Sequence, residues 1–358
     1  VAVASKVPPN RIGGGTRRRG AISYEAVRDD AHRGGRPWPP ALRTQLRHPV
    51  EKVWYAITET EQLSQWMPGR VEIELEVGGK VRWSFPEEAW AQPDGTVTAL
   101  DPPRLLEFFM PAAGAGLDWL KDETLRFELT PAPEGCLLVF TDVVEDRAGA
   151  ASFAAGWQGC LDVLAALLGG GPAESDEDPA RYVELFEEYM RSFGLDEGTA
   201  QPGADGWTVR FERQLMGHGV DEVWRALAGQ EDAASGGTAA GEPVVGGPPP
   251  LAMTNGYVPA GAVTAVEAPG MLECAWGAED GPAGRVRWEL REGPGGARVV
   301  LTQTLPGEAA DELLTALAAW HTHLELFARS LRGEDVCPWP EGRTRELRAH
   351  YEASLAAR

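Results

Sequence analysis

Few groups on this chain could do chemistry. Six histidines and four cysteines are spread over 358 residues. His321 and His323 are the best-placed pair for acid, base or metal work. At i and i+2 they diverge by about 200° around a helix and cannot share a cation from adjacent turns. Each flanks the stripe Leu317, Trp320, Leu324 by roughly 80°. Either can therefore donate a hydrogen bond at a cavity edge, or be a surface or internally satisfied histidine. Cys160 becomes a reactive thiol only where something lowers its pKa, and its neighbours are Trp, Gln, Gly and Leu. It reads as a small buried residue that leaves space. The cysteines at 136, 160, 274 and 337 form no CxxC pair, which fits neither a zinc site nor a disulfide scaffold. Gly13 to Gly15 follow no strand, and Gly169 to Gly171 end a helix, so no phosphate loop is expected. Glu72, Glu74 and Glu76 alternate outward as a solvated sheet face. No catalytic group, cofactor or metal site is assigned, and binding is favoured over catalysis.

The chain's 13 tryptophans lead to its organisation. "VEKVWYAIT" from Val50 returns as "VDEVWRALA" from Val220, 170 positions on, with Trp54 and Trp224 in the same place. "GTVTALDPPRLLE" from Gly95 is answered by "GAVTAVEAPGMLE" from Gly261, at an offset of 166. "LRFEL" at 125 pairs with "VRWEL" at 286, and the segment around Trp157 pairs with that around Trp320, at offsets of 161 and 163. Four blocks in one order mark a duplicated domain.

Each block has legible local structure. Val50, Val53, Trp54 and Ile57 share one side of a short helix, as do Val220, Val223, Trp224 and Leu227; the two tryptophans are expected to plug the core. Leu313, Leu317, Trp320, Leu324, Phe327 and Leu331 make a stripe over five turns, answered by Ala154, Trp157, Leu161, Leu164 and Leu168. Alternation over 71–77 and 81–85 predicts a hairpin closed by a three-residue loop, Gly78 to Lys80, pairing Val77 with Val81 and Leu75 with Trp83. Each repeat thus reads as strand, short helices, antiparallel strands and one long helix covering the sheet's apolar face.

The expected divisions are a basic arm over 1–40, a domain over 41–171, a helical connector over 172–206, a second domain over 207–333 and a helical tail over 334–358. "RYVELFEEY" at 181 is echoed by "RTRELRAHY" at 343, so a docked helix is expected after each domain, and the domains are expected to pack on each other. Positions 229–256, rich in Gly, Ala and Pro, predict a degenerate wall in the second copy. A formal charge of −21 opposes nucleic acid and anionic membrane. No apolar run approaches the 18 or so residues of a span, and the Arg-rich start lacks an apolar region behind it, so a cytoplasmic protein is expected.

"HPVEKVWYAITETEQLSQWMPG", "VGGKVRWSF", "GTVTALDPPRLLEF", "LRFELTPAPEGCLLVFTDVV" and "AGWQGCLDVLAAL" together resemble the Hsp90-ATPase-activator-homologue branch of the START/Bet v1-like (SRPBCC) superfamily. The likeness is close over 41–170 and looser over 207–333, and the two-domain arrangement resembles START-like proteins associated with enediyne biosynthesis. It implies an α+β fold of two tandem helix-grip domains, each a curved antiparallel sheet around a long C-terminal helix, with an apolar cavity between them. It also implies a lipophilic small-molecule partner, aromatic or polyketide- or enediyne-like, serving biosynthesis or self-resistance. A polyketide cyclase or dehydratase, with His323 as acid or base, and an Hsp90 co-chaperone are the alternatives it leaves open. In such a cavity the lining would be Trp66, Trp83, Phe85, Met110, Trp119, Trp157, Cys160 and Leu161 in repeat one, and Trp276, Trp288, Trp320 and His323 in repeat two. Gly156 and Gly159 would leave room beside Trp157, and flat indole walls suit a planar ligand.

Overall fold

The computed structural model describes residues 41–85, 93–115, 120–171, 179–229, 242–257, 260–277, 284–307 and 312–356. The expected arm over 1–40 lies outside them, as do Trp119 and positions 230–241 of the expected degenerate wall. The chain divides into two compact units, one ending at Phe193 and one beginning at Gly194.

In domain 1, strand β1 (Ala41–Leu46) leads into helices α1 (Val50–Thr58) and α2 (Thr60–Leu63). Six strands follow: β2 (Arg70–Ile73), β3 (Lys80–Ser84), β4 (Gly95–Asp101), β5 (Leu105–Met110), β6 (Glu123–Ala132) and β7 (Gly135–Val144). They form one antiparallel sheet in the order β1-β7-β6-β5-β4-β3-β2, gripping the long helix α3 (Ala150–Leu168). Period-2 alternation explains the sheet's two faces. Leu125, Phe127 and Leu129 of β6 point inward and are buried, whereas Arg126 points outward and pairs with Glu107 and Glu128 at 2.9 Å each. Helix α4 (Pro179–Ser192) lies against α3, where Tyr189 donates to Gln158 Oε1 at 2.5 Å and Tyr182 to the Ser152 carbonyl at 3.0 Å.

Domain 2 starts with β8 (Thr199–Gly203) and β9 (Gly206–Met216), followed by α5 (Val220–Leu227). Then come β10 (Ala260–Glu267), β11 (Met271–Trp276), β12 (Gly284–Gly293) and β13 (Gly296–Pro306), the long helix α6 (Leu313–Leu331) and α7 (Glu341–Ala356). The sheet order is β10-β11-β12-β13-β9-β8. Both units are thus helix-grip domains of the α+β class. The segment expected to be one connector is shared out: α4 stays with domain 1, and β8 adds an edge strand to domain 2. Leu347 and Tyr351 place α7 in the second core.

Two expectations need correction. Val71 pairs with Trp83 and Ile73 with Val81, so the hairpin register is displaced by four residues from the one expected. Strand β2 ends at Ile73, and Leu75 and Val77 stand exposed at 40% and 67%. The cause is a competing docking of the loop. Gly78 N–H donates to the Val97 carbonyl at 2.8 Å, and Val97 N–H donates to the Gly79 carbonyl at 2.9 Å, which holds the glycines on β4 and away from a longer hairpin. A displacement by an even number keeps every side chain on its face, which is why the alternation alone could not reveal it. The second correction concerns hydropathy: Arg147–Leu168 is long and apolar enough, by length and composition, to cross a membrane. More than half of that window is buried within the protein, as a core helix requires.

Candidate functional site

The inner face of domain 1 carries a continuous row of rings. Phe85 stacks on Trp83 at 5.5 Å, Trp83 meets Trp157 at 6.0 Å, Trp157 meets Phe140 at 4.7 Å, and Phe140 meets Phe127 at 4.8 Å. Four elements supply it, since β3 with the residue that follows it, β6, β7 and α3 all turn side chains toward the same interior. Trp83 anchors by donating to the Pro68 carbonyl, and Trp66, fully engaged beneath α1, donates to the Ala56 carbonyl at 2.9 Å. Met110 and Leu161 are buried at 1% and 0%. A Cβ added at Gly156 or Gly159 would meet no atom within 4 Å, but Gly159 is exposed and Gly156 half-buried, so this open space lies on the outer side of α3.

Within this apolar row sits an acid that the sequence reading missed. Asp142 is 1% exposed, and its Oδ2 accepts from Trp157 Nε1 at 3.1 Å. Its Oδ1 is buried with no hydrogen-bond partner. Glu123, one diagonal step away on β6, shares the face and interacts with it. Burial, then the Glu123 charge, raises the Asp142 pKa well above the ordinary carboxylate range; burial raises Glu123 as well. Two carboxyls in such a place favour a form of the pair that retains a proton. The signal was available: Cys136, Leu138, Phe140, Asp142 and Val144 occupy one face of β7, so the alternation put an aspartate into the apolar row. Cys160 offers no nucleophile, since burial pushes its thiol up to about 12.

The two copies of the fold match one family model, described as "Activator of Hsp90 ATPase homolog 1-like protein", over residues 47–169 and 218–332. The chain belongs to this family. Among solved structures, CalU16 from Micromonospora echinospora is similar at 20% identity and a TM-score of 0.37, covering 48% of this chain and 96% of that one. DynU16, from the dynemicin biosynthetic locus, is similar at 16% identity and a TM-score of 0.34, over 82% of this chain and 98% of that one. MLL2253 from Mesorhizobium loti is similar at 24% identity and a TM-score of 0.33, over 37% and 97%. At this level these likenesses assign no activity. No curated protein sequence matches the chain.

The second AHSA1-like domain handles the equivalent interior differently. At the repeat offsets, Trp276 stands where the first has Met110, Gly284 where it has Glu123, Gln303 where it has Asp142, and His323 where it has Cys160. Trp320 donates to Gln303 Oε1 at 2.6 Å, the counterpart of the Trp157–Asp142 bond. Trp276 and Trp288 pack on Trp320 at 5.2 and 5.7 Å, and all three are at most 2% exposed. Trp276 Nε1 and Gln303 Nε2 are buried donors without partners, where domain 1 has an unpartnered acceptor. His323 Nε2–H donates to the Ala252 carbonyl at 2.8 Å, and burial lowers its pKa to about 4, so it is neutral at pH 7. The 3-10 turn Leu251–Met253 that supplies this carbonyl replaces the first domain's Trp83 strand, and Trp288 donates to the turn's Met253 carbonyl at 3.2 Å. Pro248 to Pro250 explain the replacement, since proline has no N–H for a ladder.

His321 belongs elsewhere. It lies on the side of α6 turned toward α7, with Nδ1 2.8 Å from the Tyr351 hydroxyl. Its Nε2 is 3.4 Å from Glu325 Oε1 and 3.6 Å from Asp196 Oδ2. Burial would lower its pKa, but Asp196 and Glu325 outweigh this and raise it. Glu325 is held down at about 2, against its own burial, by His321 and Arg343.

Proposed function

We propose that domain 1 binds a lipophilic, planar small molecule of the polycyclic polyketide or enediyne type, and that domain 2 is mainly its structural companion. The observation that carries this is the buried Asp142 carboxyl, which holds the Trp157 indole through Oδ2 and whose Oδ1 has no protein neighbour to pair with except the Glu123 carboxyl. A buried polar atom left unsatisfied costs about 1–3 kcal/mol, and a ligand hydroxyl that hydrogen-bonded to the carboxyl pair would recover part of that free energy. Trp83, Phe85 and Trp157 would supply the flat wall, with Met110, Cys160 and Leu161 as apolar lining. Removal of apolar area from water would provide most of the affinity, about 25 cal/mol per Å² before ordering terms.

Tryptophan fluorescence tests the reading. A panel of hydroxylated polycyclic polyketides, with dynemicin included because of the locus of DynU16, should contain a member that quenches saturably at one equivalent. Asp142→Leu should weaken that member at least tenfold, and silence across the panel would overturn the proposal. The paired carboxyls Glu123 and Asp142 favour one second reading, proton transfer on such a ligand as in a cyclase or dehydratase. Turnover of the bound compound, lost in Glu123→Gln with affinity kept, would establish it; unchanged ligand recovered after long incubation would rule it out.

A further inference from the structure

We propose that domain 2 carries a divalent-cation site, suited to zinc, formed by His321, Glu325 and Asp196 on the α7 side of its long helix. His321 is 3% exposed, and its Nε2 has no hydrogen-bond partner although two carboxylates face it. The separations of 3.4 and 3.6 Å exceed the 2.7–3.2 Å of an N–H···O hydrogen bond. They match the edges of a zinc tetrahedron: with bonds of about 2.0–2.2 Å, neighbouring ligand atoms stand roughly 3.3–3.6 Å apart. All three donor atoms lie within 4.8 Å of one another. One imidazole nitrogen and two carboxylate oxygens form a donor set suited to a first-row divalent cation. Two carboxylates balance its charge.

The surroundings supply the outer partners that such a site needs. The Tyr351 hydroxyl at 2.8 Å from Nδ1 orients the imidazole, and that hydroxyl is itself fixed by the Gly198 N–H at 2.8 Å. Arg343 forks onto Glu325 at 2.5 and 3.1 Å and holds its carboxylate in place. Asp196 comes from the turn before β8 and His321 and Glu325 from α6, so a bound cation would join two separate parts of the domain, with Tyr351 of α7 behind the imidazole. Domain 1 keeps the framework without the ligand. Tyr189 meets Gln158 where Tyr351 meets His321, and Gln158 offers no imidazole.

The metal-stripped full chain, titrated with zinc in a calorimeter, decides the matter. One zinc per chain at micromolar affinity or tighter is expected, with a higher unfolding temperature when loaded. Glu325→Gln and His321→Gln should each weaken binding at least tenfold, Tyr351→Phe about tenfold as an outer-partner loss, and His323→Gln not at all. If His321→Gln fails to fold, Glu325→Gln, checked by circular dichroism, carries the decision alone. Absence of saturable binding, or wild-type affinity in Glu325→Gln, overturns the proposal. A thiolate charge-transfer band on loading with cobalt would do so too, by moving the site to the cysteines.

Discussion

Domains 1 and 2 share a sheet, a long helix and a docking helix, yet place their unusual chemistry on opposite sides of the long helix. Domain 1 keeps its acid pair, Asp142 buried and Glu123 half-buried, on the sheet side, among rings that include the 7% and 9% exposed Trp157 and Trp83. Domain 2 fills the same side with three indoles and moves its titratable cluster to the α7 side. The difference teaches how a duplicated fold can divide its tasks. Once one interior is packed by its own side chains, its remaining freedom to vary lies on the outer face of the helix.

The sharpest way to break this comparison is to empty the packed interior. Trp320→Ala should destabilise domain 2 by about 3–5 kcal/mol, because a fully buried indole leaves both lost transfer energy and a cavity. Denaturant melts should show one transition moving while that of domain 1 stays. Equal movement of both transitions would mean that the two halves do not unfold as separate units.

Acidity and alkalinity should pull the domains in opposite directions. His323 is neutral when folded, with a pKa of about 4 against about 6.5 unfolded, so domain 2 loses stability as pH falls from 6.5 toward 4. At about 1.4 kcal/mol per pH unit the effect reaches roughly 3 kcal/mol, and His323→Gln should remove it. Asp142 is raised in the folded state, so its contribution is favourable below the unfolded value near 3.9 and is lost as pH rises through the folded one. Urea midpoints against pH, for wild type, His323→Gln and Asp142→Asn, check both slopes. A domain 1 slope unchanged by Asp142→Asn would contradict the assignment.

The smallest effect comes from the paired glycine loops. Gly246 N–H donates to Val263, and Val263 N–H donates to Gly247, repeating at 2.9 and 2.8 Å the docking of Gly78 and Gly79 on Val97. A Cβ at Gly79 would come within 2.1 Å of the Glu74 carbonyl, but one at Gly247 only within 3.1 Å of Val244. Gly79→Ala should therefore cost about 1–3 kcal/mol and Gly247→Ala less than about 1, read from the same melts.

Much of the architecture could be read from the residues, for identifiable reasons. Duplicated blocks and strict alternation exposed the sheets, and the five-turn stripe around Trp320 exposed the helix they grip. The hairpin register escaped because Gly78 and Gly79 dock on a strand that begins sixteen residues after Gly79, at Gly95. The same docking by Gly246 and Gly247 passed unseen in a proline-rich stretch that looked like a broken wall. Of the site, the indoles were legible as ring-bearing inward positions. Asp142 was legible in principle from its place on the apolar face of β7, but its pairing with Glu123 depends on two strands meeting in register.

By itself the amino-acid order determined that there are two repeated units of strands and a long helix and which faces are apolar, since periodicity and repetition are written in the chain, while the helix-grip arrangement came from the family resemblance. Only the tertiary structure decided which polar atoms end up without partners, Asp142 Oδ1 in one unit and His321 Nε2, Trp276 Nε1 and Gln303 Nε2 in the other among them. Such an atom is defined by everything around it. Asp196 stands 125 positions before His321, and no local pattern can place it 3.6 Å from that imidazole. That proximity comes from packing the turn before β8 against α6, a long-range closure that the fold as a whole must supply.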